Sequence, residues 1–218
     1  MSITIEPHPL LETIVLSTQW PAPLGEIATL NDLDVWFSGG ANPPLSRPEE
    51  VKPTVRDLLR FGGFKPTGRS KPASEYLLSA LDKGRLGTIN AAVDACNVAS
   101  LHSGLPISVV DADLARGSWR IALAEKGMSY VFNPTGQIID IGGLIVLWDE
   151  DGPCGGPVKD SQRTKTHPET RRTLSVIWGT SDLPGRTNQT AQFYSGLIES
   201  LGGQVTPVTP TGPSNHLE

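Results

Sequence analysis

The sequence predicts an α+β fold, with a central, largely antiparallel sheet packed by helices. Three observations predict it. Segments with helical periodicity come first, a run of short strand-like segments follows, and one helix closes the order, the segregated pattern of an α+β chain rather than βαβ alternation. With 23 glycines and 19 prolines among 218 residues, turns are frequent, as a sheet-rich chain requires. Hydrophobic residues make up 38% and charged residues 19%, the balance of a chain that buries a core.

The elements follow in order. Residues 3–5 and 13–19 are rich in β-branched side chains and predict strands. After a Pro/Asn/Ser loop at 41–48, Pro48 opens a helix with Glu49 and Glu50 in its first turn, where negative charge suits the helix dipole. Pro53 either kinks this helix or marks a later start. Val51, Val55, Leu58 and Leu59 share one face, and Gly62 and Gly63 stop it. A basic loop, FKPTGRSK at 64–71, leads to a helix over 72–81 with Tyr76, Leu77, Ala80 and Leu81 as its apolar stripe. A third helix covers 89–102. Strands are predicted at 106–110, 119–124, 128–132, 143–148 and 173–179. The last helix, 187–201, sets Phe193, Leu197, Ile198 and Leu201 on one side, and Gly202 and Gly203 cap it. Residues 1–203 read as one domain, and the Pro- and Thr-rich residues 204–218 as a loosely ordered tail.

Charge and motifs narrow the function. The net charge is −5, whereas proteins that track long stretches of nucleic acid are usually basic, so DNA is not an expected partner and any RNA contact is local, at one end of the molecule. Cys96 and Cys154 make no disulfide framework and no CxxC, which fits a reducing, cytoplasmic setting. Residues 1–9 carry no leader-like pattern. The longest apolar run, 138–148, is broken by Asp140 and glycines and is too short to span a bilayer, so no membrane association is expected. His8, His102, His167 and His216 lack ligand spacing, and no metal site is predicted. There is no GxSxG elbow, Walker A loop or dinucleotide fingerprint, so no cofactor is predicted. Gly152, Gly155 and Gly156 in DGPCGGP predict a turn, with a phosphate cradle as the alternative.

The third helix carries the sharpest physical signal. Ala91, Ala92, Val93, Ala95, Cys96, Val98, Ala99 and Leu101 make it apolar nearly all round, the mark of a buried helix. Asn90, Asp94 and Asn97 nevertheless fall at i, i+4 and i+7, on one face. A buried polar group without a partner costs roughly 1–3 kcal/mol. The stripe therefore either ties down neighbouring loops or lines a ligand cavity. His102, at the end of the helix, reads as a structural hydrogen-bonding residue, with a general base as the alternative.

GRSKPASEYLL at 68–78, followed by INAAVDACNVASLHSGLPISVVD at 89–111, resembles the core of the B3/B4 domain, the editing module of the phenylalanyl-tRNA synthetase beta subunit. Ile89, Asn90, Val93, Asp94, Asn97, Ser100, Leu101, Gly104, Leu105, Pro106 and Asp111 match its pattern. So do Trp119 and Arg120, Glu125, and the late stretch KDSQRTKTHPETRRT at 159–173. The resemblance spans about residues 50 to 202. It implies a B3/B4-like fold and hydrolysis of the ester of mischarged aminoacyl-tRNA, acting in trans, since 218 residues leave no room for the synthetase's aminoacylation and anticodon-binding parts. The alternative is a non-catalytic module that binds an amino acid, a small metabolite or tRNA.

Hydrolysing an activated ester needs a positioned water and a polarised carbonyl, which hydroxyls, backbone amides and carboxylates supply. By order along the chain, the resemblance implies Ser108, Asp160, Ser161, Thr164 and Thr166 as catalytic candidates and Gly155 and Gly156 as substrate-binding ones. His167, in the Thr-rich loop beside Thr166 and Pro168, is a further catalytic or substrate-contact candidate, and the polar stripe adds Asn90, Asp94 and Asn97 as substrate-binding candidates. In bacterial synthetases a histidine follows the equivalent proline by two positions, where this chain has Ser108. The family's late glutamate is replaced near Asp160 or Ser161. Tyrosine specificity is therefore not carried over. Lys65, Arg69, Lys71, Arg163, Lys165, Arg171 and Arg172 form two local basic runs, either plain charged surface or a contact for the tRNA acceptor end. The oligomeric state is not legible in the sequence.

Overall fold

The computed structural model describes residues 2–30, 33–37 and 42–211. The order among them is β1 (Ile3–Ile5), β2 (Leu11–Gln19), α1 (Leu33–Phe37), α2 (Val51–Arg60), α3 (Ala73–Leu81), α4 (Ala91–Ser103), β3 (Ile107–Asp111), β4 (Trp119–Leu123), β5 (Ser129–Val131), β6 (Ile138–Asp140), β7 (Ile145–Asp149), β8 (Gly152–Gly155), β9 (Arg172–Thr180), α5 (Arg186–Ser200) and β10 (Gln204–Pro207). The α+β class holds, but the single central sheet divides in two. One sheet has the order β1-β4-β7-β8 and is antiparallel except where β1 runs parallel to β4. The other, β10-β2-β9-β3, is antiparallel throughout. β5 and β6 form a separate hairpin.

Side-chain alternation explains why two sheets form. Leu174, Val176 and Trp178 of β9 point one way, into a cluster with Ile3, Trp119, Ile121, Ile145 and Leu147 of the facing sheet. Ile177 points the other way, into a cluster with α4 and α5. β9 is thus buried on both faces, and its residues read as a nearly continuous run rather than an alternation.

α4 is the buried helix that the sequence predicts, with Ala91, Ala92, Ala95, Val98 and Ala99 fully enclosed. Its small residues let α5 and β3 approach closely. Asn90 is its N-cap, accepting from the Val93 N–H at 3.0 Å. Gly104 ends it at φ +75°, and a β-carbon there would meet Val51 Cγ1 at 2.7 Å. Replacing Asn90 by alanine is expected to cost about 1 kcal/mol, lowering Tm by about 2–4 °C in a thermal melt.

Of the two readings of Pro53, the later start holds: α2 begins at Val51, so Pro53 lies in its first turn, where an N–H has no helical acceptor and its loss is harmless. Two local readings are corrected. DGPCGGP is not a turn alone: Gly152–Gly155 forms β8, paired with β7 across a register shift at Leu147/Trp148. Residues 204–211 are not loose: β10 fills the open edge of β2, and the Val208 and Thr211 N–H groups bond to Val15 O (2.9 Å) and Ile3 O (2.7 Å). The remainder of the predicted tail, 212–218, lies outside the described residues. No described helix is long and apolar enough to cross a membrane.

Candidate functional site

The site forms where β3 of one sheet meets β8 of the other. Ser108, on β3, is fully buried. Its hydroxyl donates to Gly156 O at 3.1 Å and accepts from Trp178 Nε1 at 2.9 Å. Asp160 follows β8 and turns its carboxylate back onto this seam. Oδ1 accepts from the Gly156 N–H at 3.0 Å and Oδ2 from the Val109 N–H at 3.3 Å. A β-carbon on Gly155 would sit 3.1 Å from Oδ1, so glycine there lets the backbone lie against the carboxylate.

Electrostatically the seam is poised near neutrality. Burial pushes the Asp160 carboxyl up to about 6, opposed by Ser108, the two N–H groups and Lys165. Burial, with Asp160 and Cys154 adding to it, also raises the Tyr130 phenol well above its usual range. That phenol stays protonated and donates to Lys159 O.

A cavity of about 210 Å³ is lined mainly by Tyr76, Leu77, Asn97, Ile107, Val158 and Lys159; Ile107 and Lys159, the chain neighbours of Ser108 and Asp160, connect it to the seam, whose own residues do not line it. Such a volume is below the range of drug-sized pockets and suits an amino-acid side chain. Its walls are aliphatic apart from the Tyr76 ring, Asn97, Ser100, Cys96 and the Lys159 ammonium. The ammonium lies 3.8 Å from the Phe132 ring centroid and 5.4 Å from that of Tyr76. Lys71 reaches the same Tyr76 ring at 5.6 Å. Burial lowers the pKa of Lys159, and the like charges Lys165 and Arg69 lower it further. Burial also lowers that of Lys165, against the pull of Asp160.

The predicted polar stripe divides between its two readings. Asn90 caps α4 and donates from Nδ2 to Thr166 Oγ1 at 3.1 Å, joining the helix to the Thr-rich loop. Asp94 is fully buried and accepts from the Ile89 N–H at 2.8 Å and from the Thr88 hydroxyl, so it braces the loop ahead of its own helix rather than lining the cavity. Asn97 alone lines the cavity. The i, i+4 spacing of the first two is the spacing of a cap and its brace.

Several catalytic candidates are committed elsewhere. Ser161 caps the 3₁₀ turn Gln162–Thr164, accepting from the Arg163 N–H at 3.4 Å. Thr164 is fully buried and donates to Cys154 O at 3.0 Å. His167 places Nε2 3.2 Å from Asp111 Oδ2. Asp111 is at the far end of β3 from Ile107, which lines the cavity, so His167 is not part of the pocket. Gly155, Gly156 and Asp160 do come together with Ser108. His102 is structural, with Nε2 2.9 Å from Trp36 O and its ring near those of Trp36 and Phe193.

The basic residues separate as well. Arg163 grips Asp149 with two bonds of 2.8 Å and Gly152 O with a third, and Arg172 is bonded to Asp113. These two are not available to a polyanion without breaking those pairs. Lys65 and Arg171 are exposed. Arg69 and Lys165 lie near enough to Lys159 to lower its pKa, and Lys71 shares the Tyr76 ring with it; of the four, Lys159 alone lines the cavity. Lys159 was missed by sequence reasoning, although its place directly before Asp160 in KDSQ was a usable signal. Tyr130 and Phe132 gave no signal beyond strand propensity.

A family model described as the B3/4 domain matches residues 63–184, more than half of the chain. The chain belongs to the B3/4 domain family. The matched span of this B3/4 domain starts before α3 and ends after β9, so it contains α4, the cavity, the Ser108–Asp160 seam and the cationic residues around it. Among solved structures, the chain is similar to an N-terminal fragment of the phenylalanyl-tRNA synthetase beta-subunit from Pyrococcus horikoshii, with a TM-score of 0.50 and 10% sequence identity. The likeness covers 97% of this chain and 52% of that one, so the B3/4 chain spans about half the length of the fragment. At that identity the similarity is one of fold. No curated protein matches the chain.

Proposed function

We propose that this B3/4 domain is a tRNA-related editing module that hydrolyses the ester of mischarged aminoacyl-tRNA in trans, in the cytoplasm where charged tRNA resides. One observation carries the reading: the Asp160 carboxylate, pinned by two backbone N–H groups and held near a pKa of about 6, directly follows Lys159, which lines an amino-acid-sized cavity. In this reading the amino-acid side chain enters the cavity against Asn97 and the aliphatic wall. Asp160 takes a proton from water as the water oxygen bonds to the ester carbonyl carbon. The oxyanion that develops faces the ammonium groups of Lys159 and Lys165. The carbon–oxygen bond to the ribose then breaks, and the proton passes to the departing hydroxyl. Membership of the family and the likeness of fold to a synthetase beta-subunit support tRNA as the partner. The test is a panel of mischarged tRNAs. Release of amino acid from at least one of them is expected, and release no faster than in buffer for every member removes the enzyme reading.

A second reading, a non-catalytic binding module for an amino acid, small metabolite or tRNA, is favoured by Ser108. Its hydroxyl is fully buried and occupied by Gly156 and Trp178. A ligand present at 100 times its Kd stabilises the fold by about 2.7 kcal/mol. For a chain of this size that raises Tm by about 5–10 °C. Such a shift with a free amino acid or metabolite, and no deacylation, selects this reading.

A further inference from the structure

Most arginines outside the site face a carboxylate. Arg56 pairs with Glu75, Arg60 with Asp57, Arg116 with Asp151, Arg120 with Glu6, Arg163 with Asp149 and Arg172 with Asp113. Arg69, Lys71, Lys159 and Lys165 have no such ion pair among the described residues. They nevertheless lie close enough together that Arg69 and Lys165 both act on Lys159, while Lys71 and Lys159 share the Tyr76 ring. Only the Asp160 carboxylate, near Lys165, offsets this charge, and gathering four cations against one carboxylate favours a visiting anion. The remaining surface belongs to a chain of net charge −5, which repels a long polyanion.

Resting on the editing reading, we infer that the substrate is recognised only through its single-stranded 3′ end. The phosphodiesters nearest the ester sit on Arg69, Lys71, Lys159 and Lys165, and the paired body of the tRNA contributes little. Three or four neutralised phosphates on a single strand give a slope of log K against log salt of about −2 to −3. The domain would then act on a mischarged end whatever tRNA carries it, leaving discrimination to the amino-acid cavity.

The experiment measures binding of uncharged, fluorescently labelled RNA to the full chain by anisotropy, so it does not depend on catalysis. A four-nucleotide RNA ending in C-C-A and a full-length tRNA are compared between 50 and 300 mM salt. Their affinities are expected to agree within about threefold, with equal salt slopes. Lys159→Ala, Lys165→Ala and Arg69→Ala should each weaken both RNAs about five- to tenfold and make the slope shallower by roughly one phosphate. Arg60→Ala, which removes an exposed pair away from the cavity, should change neither. A tRNA that binds more than about thirtyfold tighter than the short RNA, slopes that the cluster variants leave unchanged, or no binding of either RNA overturns the inference. Deacylation of mischarged tRNA alongside any of these results would leave the editing reading standing without it.

Discussion

Replacing Asp160 by asparagine is expected to lower the rate of ester hydrolysis at pH 7.5 by at least about 100-fold, the usual range for loss of a general base. Asparagine is close in size and still accepts one of the two backbone N–H bonds, so the loss reports the proton acceptor rather than collapse of the seam. In the wild type the rate should rise through pH 6 as the carboxyl ionises, and that limb should vanish in the variant. A rate that keeps its full value and its acidic limb in Asp160→Asn removes this residue from the mechanism. The same shift has a stability consequence of known sign. Unfolded aspartate titrates at about 3.9, whereas Asp160 in the folded chain titrates at about 6. Between these values the folded chain holds the proton more tightly, so its contribution to stability grows as pH falls from 6 toward 4. Two pKa units correspond to roughly 3 kcal/mol. The Tm of the wild type relative to Asp160→Asn should therefore increase on moving from pH 7 to pH 5, and a constant difference would contradict the raised pKa of this half-buried carboxylate.

Much of this arrangement is legible in the sequence, and the part that is not has a physical reason. The small-residue run from Ala91 to Ala99 announces a buried helix because no polar face remains for solvent. Gly104 announces its end because only glycine fits both the φ of +75° and the contact with Val51. The order of Ser108, Gly155, Gly156 and Asp160 along the chain led to the β3–β8 seam, where all four meet. The roles of Ser161, Thr164 and His167 were not legible, because a hydroxyl or imidazole in a loop is of the same type whether it faces a cavity or a backbone carbonyl. Only the fold places Cys154 O under Thr164 and Asp111 beside His167. The division of one sheet into two was hidden for a related reason. Strand propensity does not report which strands share an edge, and β8, built of glycine, proline and cysteine, has little propensity to read. Lys159 carries a partial signal in its place directly before Asp160, but nothing in the sequence shows the rings of Phe132 and Tyr76 against its ammonium.

Replacing Arg163 by methionine is expected to be among the most destabilising single changes on the charged surface, and it decides between the two readings of the second basic run. The Asp149 side chain is 0% exposed and that of Arg163 is 32% exposed, so the pair is anchored on a desolvated carboxylate. Burial alone would raise the pKa of Asp149. The two Arg163 bonds and the N–H groups of Arg116 and Asp151 outweigh it, and the net shift is downward. Methionine fills a similar length but leaves the carboxylate without its cation, a loss of about 3–5 kcal/mol for a buried pair. In a chain of this size that lowers Tm on the order of 10 °C. The accompanying change Asp149→Asn should recover part of the loss, because a neutral amide no longer needs the guanidinium, and this recovery separates a broken ion pair from lost packing. Asp149 has a depressed pKa, so its share of the stability is present above the unfolded value and is lost as pH falls below that range. The wild type should accordingly converge on Arg163→Met as the pH drops below 4. If Arg163 instead served as a phosphate contact, its replacement would leave Tm within about 1 °C of the wild type and make the salt slope for RNA shallower by about one phosphate. A variant that melts early yet, at temperatures where it is folded, binds the short RNA as the wild type does assigns Arg163 to the architecture of the β7–β8 hairpin, and leaves RNA to Arg69, Lys71, Lys159 and Lys165.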